Sequence, residues 1–551
     1  MGIIFAKPHG LLSNYLARVT NHPIPLRQNQ YITPATRARR REIRPHVQQR
    51  PCRVVSPLPD GLGTMERMTI QGHATPDGIQ AVVQTDTPLP YSPLADTGLL
   101  VSQVGFTVPR LTTNREDHAT LLKQALAAGV NLIDTDGLEQ IEIETEGWRE
   151  RMVLLGKAGY VQGDVYEWAV ERKREGRPFP NIVKFSQETD HCIHPDFLGA
   201  FLTRRLEKLN LAALDGLLLH DPELYLQWAD RVDIPLREAQ RTFYQRIKSA
   251  FDHLEQEVSA GRIQFYGISS NTLTIRRDNP AFISLSAILE SGDYPHFKLL
   301  ELPLNLLETG AVVQINQPNG LDTVLDAAEK AGLAVLVKRP LHARQEDAQF
   351  HLMDVVPPDY PATPEDVSTA VDSLIALESE YRADILPALA LSADAQVDLQ
   401  NKLRIGHMLQ GKWGGFGGYW NWLDIRSYFI LPEAQSAVQT LQHVSEPPFT
   451  LPGWLNLYVE SVNQLLAALT AFYQEQAHDE AKRVHKRAMV CDAEWEADSL
   501  EETAVRALLT TAPITSIMVD TDPFINLNQI LPALHPPIAP KPRREAWQKL
   551  V

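Results

Sequence analysis

From about residue 98, short apolar runs alternate with amphipathic helical patterns, and this alternation favours a parallel sheet covered by helices. Run 214–220 is apolar throughout, as expected for a strand buried on both faces. Between residues 243 and 258 apolar side chains recur every three or four positions, and Gly261 then ends the helix. Strands are predicted at 100–108, 131–136, 151–160, 214–220, 264–270, 297–304 and 333–337. Seven successive strand–helix steps, right-handed by default, predict a closing (β/α)8 TIM barrel.

The eighth barrel strand is displaced along the chain. The first seven units occupy 61–345, and a mainly helical insertion with proline breaks, 346–496, separates them from the last helix and strand at 497–535. Inside the insertion, the glycine–aromatic run 411–420 fits neither a helix nor a plain strand. The proline-rich, basic tail 536–551 is predicted to be extended. Since 551 residues exceed one compact core, we expect one large domain with additions.

Residues 1–60 form a basic N-terminal extension. Before Asp60 the only acidic residue is Glu42, whereas ten residues are lysine or arginine. An arginine-rich, acid-poor start is typical of an organellar targeting segment, and the scarcity of serine favours the mitochondrion over the chloroplast. The alternative is a cytoplasmic protein whose disordered basic tail contacts an acidic protein or RNA.

Composition excludes several other classes of protein. The formal charge of −16 disfavours general nucleic-acid binding, and no apolar run is long enough for a membrane-spanning helix. Cys52, Cys192 and Cys491 lie far apart, which argues against a disulfide framework and fits a reducing compartment. The segment 191–194 contains His, Cys and His, but no second pair completes a metal site, so we predict no metal.

Several segments of this alternation resemble the aldo-keto reductase family. The resemblance covers about 98–345 and 497–535 and implies a (β/α)8 TIM barrel of aldo-keto reductase type. The matching segments are Tyr91–Phe106, Ala128–Thr135, Met152–Gly159, Leu214–Pro222, Gly261–Asn271, Leu302–Leu306, Arg339–Leu341 and Ala504–Val519. No single motif decides the match, but the segments follow in the family's order.

The resemblance implies a catalytic tetrad, of which one member is replaced. In this family a tyrosine donates a proton to a carbonyl as hydride arrives, a lysine held by an aspartate lowers the tyrosine's pKa, and a histidine orients the carbonyl. Asp134, Lys157 and His220 match three of these places. The tyrosine position is Glu139, in a shortened loop, where a carboxylate would pair with Lys157 instead of donating a proton. Tyr160 follows Lys157 by three residues, a spacing that gives no geometric support for it as a substitute.

The implied NADPH site also departs from the family pattern. After the eighth strand the chain reads Asp520-Thr521-Asp522-Pro523, whose carboxylates would repel a dinucleotide phosphate. Glu301 aligns with a glutamine that binds the cofactor. Four candidate cofactor-binding residues persist, namely Ser269 and Asn271 for a carboxamide and Lys338 and Arg339 for phosphate. We therefore expect NADPH binding to be weakened.

Each of these features also has a purely structural interpretation. Asp134 and Lys157 fit a buried ion pair, and His220 fits a hydrogen-bonded histidine at a strand end. The basic cluster 482–487 is typical of a solvated helix face and, less often, of a contact for acidic protein or RNA. The three tryptophans between residues 413 and 422 fit either the core of the insertion or a protein interface.

Two functions compete. The first is a catalytically impaired barrel that serves as a structural or interaction subunit of an organellar assembly, with protein partners. Glu139, the acidic phosphate loop and the large additions favour it. The alternative is an active NAD(P)H-dependent oxidoreductase that reduces a carbonyl substrate, which the three matching tetrad residues favour.

Overall fold

The closed parallel barrel predicted from the sequence is present in the computed structural model. The structure describes residues 69–83, 89–107, 123–124, 126–138, 147–186, 189–345, 348–520, 527–535 and 538–551. Eight strands are hydrogen-bonded in chain order, and the last pairs with the first. They are β1 Val104–Thr107, β2 Leu132–Asp134, β3 Val153–Ala158, β4 Gly216–His220, β5 Phe265–Ser269, β6 Phe297–Pro303, β7 Ala334–Lys338 and β8 Ile514–Asp520.

Helices cover the outside of the barrel. The amphipathic pattern at 243–258 lies within helix Leu236–Ser259, which buries Phe243, Ile247 and Phe251 completely against the strands. The other described helices between β3 and β8 outside the insertion are Asp164–Arg174, Pro195–Leu209, Leu224–Arg231, Leu285–Leu289, Gly310–Val313, Val324–Lys330 and Leu500–Leu509. The sequence therefore predicted the core face of helix Leu236–Ser259.

The amino-terminal end of the barrel is closed by an antiparallel hairpin, Tyr91–Pro93 with Leu100–Ser102, and by helix Pro76–Val83. A buried ion pair of Asp215 stabilises this end. Its carboxylate pairs with Arg149 at 2.9 Å, and both side chains are at least nine-tenths buried. The opposite, carboxyl end of the strands is therefore the open one.

A hairpin, His342–Gln345 with Ala348–His351, leads from the barrel into the insertion, which forms its own helical core. Its α-helices are Pro364–Glu380, Ala393–Lys402, Ile405–Leu409, Tyr419–Asp424, Leu431–Gln442 and Leu451–Met489, with π-helical turns at Tyr381–Ile385 and Ile425–Ile430. The long helix Leu451–Met489 joins both cores, since Leu465 packs in the insertion and Val484 packs in the barrel. Trp422 is fully buried in the insertion core.

The C-terminal tail differs from the extended prediction. Residues 544–550 form a helix, Arg544–Leu550, whose Ala546, Trp547 and Leu550 are buried against the barrel. The prediction was wrong because it followed the prolines up to Pro542, whereas the following residues carry an apolar helical face.

Parts of the predicted organisation lie outside the described residues. These are the basic extension 1–60, Glu139 and the segment Thr521-Asp522-Pro523. Within the described part of the chain, no helix combines the length and the apolar character needed to cross a bilayer.

Candidate functional site

The predicted site residues meet at the carboxyl ends of the strands, an opening that we call the barrel mouth. Asp134 ends β2, Lys157 lies near the end of β3, and His220, Ser269 and Lys338 end β4, β5 and β7. Ser269 pairs with His220 on one side and with Glu301 of β6 on the other. Because parallel strands share one rim, strand register brings these side chains together where barrel active sites lie.

Lys157 is held between two carboxylates. Its Nζ lies 2.8 Å from Asp134 Oδ2 and 2.8 Å from Glu301 Oε2. All three side chains are at least nine-tenths buried. One buried cation therefore faces two buried anions, and the trio carries a net negative charge when all three groups are ionised.

This arrangement sets the protonation of the trio. Burial disfavours the Lys157 ammonium, but the charges of Asp134 and Glu301 outweigh burial and hold the pKa of Lys157 above its ordinary value. Burial also acts against the Glu301 carboxylate, yet Lys157 and Lys338 lower its pKa. Burial raises the pKa of Asp134, and the positive charge of Lys157 offsets this increase only in part. Lys157 is protonated across the physiological range, and its charge is neutralised within the trio.

A second group of charges adjoins the first. Lys338 Nζ lies 3.2 Å from Asp221 Oδ1 and 3.2 Å from Ser269 Oγ. The Ser269 hydroxyl donates a hydrogen bond to Glu301 Oε2. Ser269 therefore links the ion pairs of Lys157 and the ion pair of Lys338 into one network across the mouth.

The remaining candidate residues extend this network. Asn271 Nδ2 donates to Asp221 Oδ1 at 2.9 Å, and Asn271 Oδ1 accepts from Arg339 Nη1 at 2.7 Å. Arg339 Nη2 lies 2.6 Å from Glu308 Oε1. All four residues proposed for cofactor binding are thus engaged by side chains of the same chain.

Tyr160 lies at the mouth, contrary to the spacing argument against it. Gly159 separates it from β3, and a Cβ at Gly159 would lie 2.5 Å from the carbonyl oxygen of His220 and 2.6 Å from His191 Nε2. With glycine there, the chain turns and places the Tyr160 ring edge-on to the His220 ring, with centroids 4.9 Å apart. The Tyr160 hydroxyl donates to Asp221 Oδ2 at 2.7 Å. The prediction erred because it ignored this turn.

His220 is a neutral imidazole in this setting. Burial lowers its pKa to about 4, although the nearby Asp221 carboxylate acts in the opposite direction. Its Nε2 is 3.8 Å from Asp221 Oδ2, and its Nδ1 accepts or donates no hydrogen bond among the described residues. The described contacts therefore do not support the interpretation of His220 as a hydrogen-bonded structural histidine.

The segment 191–194 is used in packing. His191 Nε2 contacts the His220 carbonyl oxygen at 2.8 Å, and burial lowers the His191 pKa to about 4. The Cys192 thiol is directed at the carbonyl of Pro180. Over the described residues, no three His, Cys, Asp or Glu side chains are grouped as metal ligands.

Sequence comparison identifies the family of the first five barrel strands. Residues 105–279 match the profile of the Aldo/keto reductase family. This chain contains an aldo/keto reductase domain. The profile match starts in β1 and ends just after β5, so it includes Asp134, Lys157, His220 and Ser269.

Solved structures of similar proteins include aldo-keto reductases. One from Bacillus halodurans, in its holo form, is 12% identical over 84% of this chain and 96% of its own, with a TM-score of 0.37. A Pseudomonas aeruginosa protein assigned to the same family is 18% identical over 48% of this chain and 83% of its own, with a TM-score of 0.29. No curated protein matches the sequence. The family assignment rests on the profile.

Aldo/keto reductases commonly bind NADP(H), and the residues at this mouth do not fit that group. A carboxamide would have to displace Glu301 from Ser269 and Asp221 from Asn271. A phosphate would have to displace carboxylates from Lys338 and Arg339. Hydrogen bonds to a charged partner are stronger than those to a neutral one, and the displaced carboxylates would be left buried beside the phosphates.

Three acidic residues of the network were not predicted from the sequence. Asp221 and Glu223 follow β4 directly after His220, and Glu308 follows β6. The available signal was their position, because acidic side chains just beyond parallel strands lie at the same rim as the lysines.

Glu223 gives this aldo/keto reductase domain a pH-dependent stability. Burial and the Asp221 charge raise the pKa of Glu223 from 4.5 to about 7. The folded state thus keeps a proton on Glu223 that the unfolded chain releases. The contribution of Glu223 to stability is therefore fully present below pH 4.5 and is lost as pH rises through 7. The loss is about 3 kcal/mol. Glu223→Gln keeps an acceptor for the backbone N–H of Asn271 and removes the titrating carboxyl group.

Between pH 5 and pH 8 we expect the free energy of unfolding of Glu223→Gln to rise by about 3 kcal/mol relative to that of the wild type. Urea unfolding at each pH measures this difference. The matched control is Glu290→Gln, at an exposed helix end. An equal pH dependence in the wild type and Glu223→Gln would show that Glu223 does not titrate in this range.

Proposed function

We propose that this aldo/keto reductase domain is impaired in hydride transfer and serves as a structural or interaction subunit of a larger assembly. The observation that carries the proposal is the engagement of Lys157 by two buried carboxylates, with Ser269 bound to one of them. A lysine neutralised in this way has little charge left to lower the pKa of a phenol.

The sequence supports the same conclusion independently. Glu139 stands at the family's tyrosine position. Asp520 ends β8 and Asp522 comes two residues later in the sequence, where phosphate binds in relatives of this family. The insertion 346–496 and the extension 1–60 lie outside the segments that resemble a reductase. The basic, acid-poor extension favours a mitochondrial location for the assembly.

A second candidate function is an active NAD(P)H-dependent oxidoreductase. It is favoured by Tyr160, whose ring packs against His220 and whose hydroxyl lies at the barrel mouth. Against it, the hydroxyl proton is directed at Asp221, a carboxylate that Lys338 keeps ionised. Burial opposes the Asp221 charge, but the attraction of Lys338 holds the Asp221 pKa well below its ordinary value.

NADPH binding tests the proposal. A ligand present at 100 times its Kd stabilises a protein by about 2.7 kcal/mol. We expect 1 mM NADPH to leave the melting temperature of the wild type unchanged. Glu301→Gln releases Ser269 and one side of Lys157 without changing side-chain size, so we expect this variant to bind NADPH at least tenfold more tightly than the wild type.

The control for this experiment is Glu290→Gln, which makes the same change at an exposed position. Carbonyl reduction by the wild-type protein, abolished in Tyr160→Phe, would contradict the proposal and establish the second function. Isolation of the native protein in an assembly of defined stoichiometry would support the proposal.

A further inference from the structure

A cavity lies away from the network at the barrel mouth, between the insertion and the barrel. Its volume is about 1070 Å3, at the upper end of the range for small-molecule sites. Most of its lining comes from the hairpin strand Ala348–His351, the start of helix Tyr419–Asp424 and the last turns of helix Leu451–Met489. None of Lys157, His220 or Ser269 lines it. We call it the insertion groove.

One wall of the insertion groove is aromatic. The His351 ring stacks on Trp420 with centroids 4.3 Å apart and planes 21° apart. Tyr419 packs edge-on to Trp420 at 5.2 Å. Gly418, at φ 129°, has a backbone conformation that other residues rarely adopt, and it brings this aromatic pair against the hairpin. The wall offers flat, polarisable surface of the kind on which planar rings stack.

Another part of the groove's lining carries positive charge. Lys482, Arg483 and Lys486 line the groove and are exposed. Arg483 is paired with Glu480, but within the described part of the chain neither lysine makes an ion pair. Asp479 also lines the groove, so the five charged groups there sum to +1.

We propose that the insertion groove binds a planar aromatic anion, with its ring against the Trp420 wall and its phosphate or carboxylate at Lys482 and Lys486. The two features complement the two parts of such a ligand, since an aromatic face favours a ring and an unpaired pair of lysines favours an anion. The helical spacing of four residues places both lysines on one side of the helix. Because Lys157, His220 and Ser269 do not line the groove, ligand binding there is tested separately from cofactor binding at the mouth.

The probe for this site is 8-anilinonaphthalene-1-sulfonate, an aromatic anion that fluoresces when it leaves water. We expect saturable binding of one probe per full-length chain. The double variant Lys482→Glu/Lys486→Glu is expected to weaken binding at least tenfold, and Trp420→Ala is expected to abolish it. Should Trp420→Ala fail to fold, the double variant still decides the question, because it changes only exposed side chains.

Arg487→Glu is the matched control, since Arg487 is exposed on the same helix but does not line the groove. N-phenyl-1-naphthylamine, a similar aromatic amine without the sulfonate, should bind equally to the wild type and the double variant. Displacement of the sulfonate probe by AMP assigns a phosphate-bearing ligand, and displacement by benzoate assigns a carboxylate. Displacement by neither, or an equal loss of binding in Arg487→Glu, overturns the proposal.

Discussion

Replacing Lys157 by methionine is expected to destabilise the barrel by about 3–5 kcal/mol, because the substitution leaves Asp134 and Glu301 buried without a cation. The side chain's volume is largely kept, so the effect reports the charge and not a cavity. Unfolding in urea, followed by circular dichroism at neutral pH, measures it.

Lys298→Met is the matched control for this prediction. Lys298 lies on β6 and pairs with Asp96, an exposed carboxylate, so its loss is expected to cost at most about 1 kcal/mol. Adding Asp134→Asn and Glu301→Gln to Lys157→Met removes all three charges and is expected to recover most of the lost stability. A single Lys157→Met variant as stable as the wild type would mean that the two carboxylates are not held close by this lysine.

The same trio illustrates what a sequence predicts and what it does not. The alternation of strands and helices predicted the barrel because apolar periodicity follows directly from which faces are buried. The resemblance placed Asp134 and Lys157 together, and they are 2.8 Å apart. The resemblance identifies Glu301 only as the replacement of a cofactor ligand. Lys157 and Glu301 are 144 positions apart in the sequence. Their ion pair depends on how barrel closure and side-chain conformation bring β3 and β6 together.

Local backbone geometry explains other differences. Tyr160 reaches His220 because the chain turns at Gly159, and a spacing count assumes that the strand continues. Asp221 has φ 45°, a conformation that few residues adopt, and this turn accompanies its contacts with Tyr160 and Lys338. Such turns follow from the packing around them and are not visible in hydrophobic periodicity.

Replacing Trp547 by alanine is expected to destabilise the protein by about 3–5 kcal/mol. Trp547 is fully buried, packs edge-on against Trp495 at 5.1 Å and donates from Nε1 to Thr511 Oγ1 at 2.9 Å. Thr511 directly precedes the turn into β8, so the C-terminal helix supports the strand that closes the barrel. Loss of the indole therefore loosens the helix and the closing strand together.

Thermal unfolding and limited trypsin digestion measure this effect, since Arg543 and Arg544 precede Trp547 as cleavage sites. Lys549→Ala, on the exposed side of the same helix, is expected to change stability by less than about 0.5 kcal/mol and to leave cleavage slow. Trp547→Phe keeps an aromatic ring but loses the hydrogen bond, so its effect should fall between the two. Rapid cleavage of Trp547→Ala without loss of stability would show that the tail covers the barrel without supporting it.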